Sequence, residues 1–143
     1  MRIGLLPSPR RLRVKGPGLF SERDLIREIA QGVGLRPGVI LGIGDDAAVI
    51  DVPSPMVAAH DMLVEGVHFT RTTCSFADIG HKALAVNLSD LAAMGATPVA
   101  ALVGLGLPSD VSADDVRALY AAMEKLAERH AVTIAGGDVT SSS

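Results

Sequence analysis

Five aspartates stand where apolar segments turn, end or would otherwise be uninterrupted: Asp45, Asp46, Asp61, Asp90 and Asp138. The first two sit in Gly42-Ile43-Gly44-Asp45-Asp46-Ala47-Ala48-Val49-Ile50, which follows the apolar segment Val39-Ile40-Leu41. Like charges at adjacent positions repel, and beside an apolar core they also lose hydration, so a positive group has to meet them. Alone, such a turn reads as aspartates capping their own backbone. Asp61 comes late in an apolar run at 56–64, and Asp90 falls three residues after Asn87 on a helical pattern, so those two side chains share a face. Asp138 follows Gly136-Gly137 at the expected exit of a strand, where backbone or ligand can approach closely. Taken singly, each reads as a hydrogen-bonded or capping residue. Convergence on hard cations accounts for them together. Oxygen ligands without cysteine favour Mg²⁺ over Zn²⁺, and carboxylate-held Mg²⁺ accompanies phosphate chemistry. His68, a few residues past Asp61, is placed to contact a substrate phosphate, although a lone histidine is more often a surface residue. No GxxxxGK[ST] or GxGxxG loop is present, so a nucleotide would be held through metals and Gly-rich turns. Residue types and spacing reach an Mg²⁺-dependent enzyme on a phosphorylated substrate, and stop there.

The elements that must position these groups follow from periodicity and caps. Ser21-Glu22-Arg23-Asp24 resembles a capping box and predicts a short helix with Leu25, Ile26 and Ile29 inward, ended by Gly32. Strands are expected at 39–41 and 47–50 on either side of the aspartate turn, and at 56–64 beyond Pro53 and Pro55. Ser75-Phe76-Ala77-Asp78 opens a helix to about Met94, stopped by Gly95 and Pro98, with Leu84, Leu88 and Leu91 on its packing face. Residues 99–107 read as a buried strand. Ser112 starts a last helix whose Val116, Leu119, Tyr120, Met123 and Leu126 follow the 3.6 period, and 132–135 form a final strand delivering Gly136-Gly137-Asp138.

Composition narrows the class. A chain of 143 residues that is 48% hydrophobic supports one domain with a real core. With no Trp, one Tyr and three Phe, that core must be aliphatic. The single cysteine, Cys74, excludes an internal disulfide and suits a reducing cytoplasm. The longest apolar run, at 99–107, is too short to span a bilayer. Residues 1–18 hold Arg2, Arg10, Arg11, Arg13 and Lys15 with no acid, and their prolines interrupt any signal-peptide core, so they read as a basic disordered arm. All sixteen acids lie in the remainder, residues 19–143, which makes it a poor partner for nucleic acid, and no membrane partner is expected.

Three blocks carry a resemblance. Gly42-Ile43-Gly44-Asp45-Asp46-Ala47-Ala48-Val49, Asp61-Met62-Leu63-Val64-Glu65-Gly66-Val67-His68-Phe69 and Lys82-Ala83-Leu84-Ala85-Val86-Asn87-Leu88-Ser89-Asp90-Leu91-Ala92-Ala93-Met94-Gly95-Ala96 resemble the thiamine-monophosphate kinase family, with Gly136-Gly137-Asp138 in matching order. The resemblance implies an α+β fold, a mixed β-sheet with helices on one face, like the N-terminal domain of aminoimidazole ribonucleotide synthetase. It implies transfer of the γ-phosphoryl of ATP to thiamine monophosphate with several Mg²⁺ ions, and a homodimer that pairs its sheets. Asp46, Asp61, Asp90 and Asp138 would be metal ligands with Asp45 beside them, Gly137 and Asp138 would meet ATP, and His68 the substrate. Where the family usually has hydroxyl side chains before the strand aspartate, this chain has Ala59 and His60, making His60, with Asn87, a neighbour of the metal site. Val139 replaces a usual Thr. The family continues through a second domain, so the chain reads as residues 19–143 of an N-terminal ATP- and Mg²⁺-binding half, inactive alone. The alternatives are a related ATP-dependent synthetase, which Leu63-Val64-Glu65-Gly66-Val67-His68-Phe69 argues against, and a non-catalytic dimerisation or nucleotide-binding module.

Overall fold

Helix α3 (Ala113–Arg129) carries the stripe on which the structure is assembled, with Val116, Leu119, Tyr120, Met123 and Leu126 all buried as their period requires. In this computed structural model, residues 22–44, 47–51 and 55–142 are described. The basic arm, Ser21 of the first capping box, Asp45 and Asp46 lie outside them. Helix α2 (Phe76–Ala93) packs along α3, and both begin with a capping box. The Ser75 hydroxyl accepts from the Asp78 N–H while the Asp78 carboxylate accepts from the Ser75 N–H, and Ser112 and Asp115 repeat the exchange. Amide donors that a helix start leaves unpaired are thereby satisfied. The helices meet closely at Gly80, where a Cβ would overlap the Leu119 carbonyl.

Helix α1 (Glu22–Gly32) closes the other side of α3 with buried Leu25 and Ile29, Ile26 staying half-buried. Arg117 fixes that packing through a two-pronged pair to Glu28, both contacts 2.8 Å. Arg36 performs the same task deeper in. Its guanidinium reaches Glu124 at 2.5 Å and the Val132 carbonyl at 2.6 Å, and its backbone N–H donates to the Thr133 hydroxyl at 2.8 Å. The core is completed by Ile79 and Leu84 of α2 and by Val132 and Ile134. Full burial of an aliphatic side chain contributes about 1.5–3 kcal/mol. Burial also pushes the Tyr120 phenol up to about 12.

Strand β1 (Val39–Leu41) pairs antiparallel with β2 (Val49–Ile50), while β3 (Ala100–Leu107) pairs parallel with β4 (Thr133–Ser141) through the α3 crossover. Both senses of pairing are therefore present, in two separate two-stranded ladders among the described residues. The β3–β4 register skips one residue of β4, from Ala101 opposite Ile134 to Leu102 opposite Gly136. Ala101, Val103, Leu105 and Leu107 face the helical core, whereas Leu102 on the other face is 66% exposed. Helices thus cover one face of the parallel pair, and the class is α+β as expected.

Three expectations are corrected. Residues 56–64 form no strand: 55–62 are exposed, and no described strand offers them a ladder. Their valines and methionines suit a pleated, half-covered surface, and that propensity has no effect without a paired neighbour. The strand at 100–107 is half-covered, not buried. Gly136-Gly137-Asp138 is not a strand exit, because β4 runs through it to Ser141 with Asp138 opposite Gly104. Among the described residues, no helix is long and apolar enough to cross a membrane.

Candidate functional site

Asp61, Asp90 and Asp138 share one property. Each is exposed, and among the described residues none of their carboxylates makes a hydrogen bond or ion pair. Most other described acids are engaged: Glu28 with Arg117, Glu65 and Asp110 with Arg71, Glu124 with Arg36, and Asp78 and Asp115 in their caps. Hydrogen bonding holds those capping carboxyls below the usual range, the serine hydroxyl contributing most and the serine backbone N–H next. The candidate acids lack such partners and keep their oxygens available.

Asn87 ties the segment that carries Asp61 to the helix that carries Asp90. Its Oδ1 accepts the Asp61 backbone N–H at 2.9 Å, and its Nδ2 donates to the Ala83 carbonyl at 3.0 Å. The irregular segment 56–64 is thereby tied to α2 one turn before Asp90, so Asp61 and Asp90 belong to one neighbourhood. Among the described residues, no group of three or more His, Cys, Asp or Glu side chains gathers at metal-binding separation. Asp138 stands in the exposed half of β4. Gly137 before it has φ +155, and a Cβ there would overlap the Val103 carbonyl of β3, so strand packing by itself requires glycine. His60 is exposed beside Asp61.

The loop at 64–69 gives His68 a definite chemical form. Gly66, at φ +79, lets the chain fold back so that its N–H donates to the Phe69 carbonyl at 2.8 Å. The Val64 N–H donates to His68 Nδ1 at 3.0 Å, and the His68 N–H returns to the Val64 carbonyl at 2.8 Å. A ring nitrogen that accepts a hydrogen bond carries no proton, so the neutral imidazole holds its proton on Nε2. The ring is exposed and its free N–H can donate to an anion. Lys82 Nζ donates to the His68 carbonyl at 2.6 Å, and Arg71 braces the same loop through Glu65. Sequence reasoning missed both. Lys82 lay inside a quoted block, but its contact is tertiary, and Arg71 sits six residues after Glu65 across a Gly turn.

Hard carboxylate oxygens, exposed and without an ion pair among the described residues, are the donor type that Mg²⁺ takes, although no three of them gather there. Helices on one face of a parallel strand pair, with an antiparallel pair beside it, define an α+β domain. The family model described as AIR synthase related protein, N-terminal domain, matches residues 44–143, and the chain belongs to that family. A thiamine-monophosphate kinase of Rhodopirellula baltica is 45% identical over 113 residues, covering 73% of this chain and 36% of that protein. The crystal structure of a thiamine-monophosphate kinase from Stenotrophomonas maltophilia K279a matches with TM-score 0.69 and 41% identity, over 87% of this chain and 38% of that one. A solved structure described as AaThiL complexed with AMPPCP and TMP matches with TM-score 0.58 and 27% identity, over 93% of this chain and 40% of that one. The chain therefore spans well under half of the length of each of these three relatives.

Proposed function

We propose that this chain supplies the N-terminal, ATP- and Mg²⁺-binding domain, residues 19–143, of a phosphotransferase that moves the γ-phosphoryl of ATP to thiamine monophosphate, giving thiamine diphosphate. The observation that carries this reading is the 45% identity over 113 residues to a thiamine-monophosphate kinase. The likeness to a structure holding AMPPCP and TMP supports both substrates.

The acceptor is a phosphate oxygen whose second pKa is about 6, so it is largely ionised near neutral pH and needs no general base. Asp61, Asp90 and Asp138 would hold Mg²⁺ by the oxygens that no described residue engages, and Asp45 and Asp46 would be further ligands. Bound there, Mg²⁺ would screen the repulsion between the two anionic substrates and help align them for in-line displacement. His68 donates its Nε2 proton in a hydrogen bond to the acceptor substrate. Gly137 and Asp138 border ATP on β4, and Asn87 holds Asp61 against α2. His60 stands beside the metal ligands. A reducing cytoplasm is in keeping with the single Cys74. A homodimer formed through the sheets would cover the exposed side chains of Ile40, Leu41, Val49 and Ile50.

The test is Asp90→Asn in the protein that carries this domain. The isosteric amide keeps the helix but loses the charge, so phosphoryl transfer should fall by about 10²-fold or more. Mg²⁺ should raise the melting temperature of the wild type and have a smaller effect on the variant. Normal turnover by the variant at saturating Mg²⁺ overturns the ligand assignment.

A further inference from the structure

Arg71 makes contacts that the proposed chemistry does not use. Its Nε lies 2.8 and 2.9 Å from the two oxygens of Glu65, and its backbone N–H donates to Glu65 Oε1 at 3.3 Å. A terminal nitrogen of the same guanidinium reaches Asp110 at 3.0 Å, in the connection between β3 and α3. Two carboxylates already match its charge, so it is not set up to receive a phosphate. Arg71 is 31% exposed and its partners more so. Ion pairs this open contribute little to global stability. Their effect is geometric: Glu65 and Arg71 close the loop across Gly66, and Asp110 anchors it to a separate part of the fold. Inside that loop the Val64 N–H holds His68 Nδ1, and from behind Lys82 holds the His68 carbonyl.

We infer that Arg71 is a positioning residue, fixing the 64–69 loop so that His68 offers its Nε2–H in one direction to the anionic acceptor substrate. The inference rests on the reading that His68 meets that substrate. A donor aimed in advance loses less freedom when the anion binds, which favours acceptor binding over nucleotide binding.

Arg71→Ala, made in the whole protein that carries this domain, should change melting temperature only slightly. Nitrogen NMR of the His68 ring should lose the pure Nε2–H signature, and the Val64 and His68 amides should exchange faster. KM for thiamine monophosphate should rise about three- to tenfold while kcat and KM for ATP hold. Arg71→Lys, with a charge but no fork to span both carboxylates, should recover only part. An unchanged His68 signature and unchanged exchange in Arg71→Ala overturn the inference. So does a raised KM for thiamine monophosphate in His68→Ala with none in Arg71→Ala, which leaves the functional reading standing. A wild-type KM in His68→Ala instead removes His68 from the acceptor site, and the substrate half of this inference with it.

Discussion

At the scale of single residues, Gly80 tests whether propensity or contact decides. A glycine inside a helix costs about 1 kcal/mol relative to alanine, so propensity alone makes Gly80→Ala stabilising. The structure gives the opposite sign, because the new Cβ would meet the Leu119 backbone carbonyl, which cannot rotate away. Forcing α2 off α3 costs about 1–3 kcal/mol, and urea unfolding should show the free energy of unfolding falling by that amount, with a lower midpoint at unchanged m. A raised midpoint would mean that the helices are not in backbone contact there. Gly80 was not legible beforehand, since its role depends on which helix lies against it. Asp61 and Asp90 stand out in the sequence as carboxylates within apolar runs, whereas the structure exposes both. Arg71 does not stand out there, because its partners lie six and 39 residues away and only the folded loop brings them together.

At the scale of elements, the signals that could be read were local and complete within a few residues. Ser75 with Asp78 and Ser112 with Asp115 marked both long helices, and the 3.6 period on α3 identified its buried face. The misreadings concern partners. Residues 56–64 have strand composition but no described neighbour, and two glycines before Asp138 looked like an exit because the β3 ladder that carries β4 onward is non-local. The caps also set a pH dependence. Asp115 is held below its ordinary value first by the Ser112 hydroxyl and then by the Ser112 backbone N–H, so its contribution is fully present above about pH 4 and is lost as pH falls through the depressed value. Asp78 behaves likewise through Ser75. Ser112→Ala should lower the melting temperature by a few degrees at pH 7, and the gap from wild type should narrow in acid as Asp115 is protonated. A gap that stays constant from pH 7 to pH 2 would show that the hydroxyl does not stabilise the carboxylate.

At the scale of the whole molecule, the helical side and the strand side differ in how they are covered. Helix α3 is enclosed by α1, α2 and β4, whereas Ile40 is 65% exposed and Leu102 66% exposed. Apart from buried Val39, the β1–β2 ladder has its side chains open, with Ile40, Leu41, Val49 and Ile50 all exposed. A two-stranded antiparallel pair is marginal in water, and monomers rarely leave contiguous apolar surface of more than a few hundred Å² uncovered. A second copy of the chain, meeting it sheet to sheet, would remove that surface from water and supply neighbours for open strand edges. The proposed homodimer therefore predicts a dimer in sedimentation equilibrium at about 100 µM, a concentration that populates even modest interfaces. Ile40→Lys places a charge on that surface without touching the α1–α2–α3 core. It should shift the equilibrium toward monomer by about tenfold or more, while the helical circular dichroism signal stays at the wild-type level. A wild-type chain that is monomeric at that concentration, or a variant that associates as well as wild type, would mean that something other than a second copy of β1 and β2 covers this face.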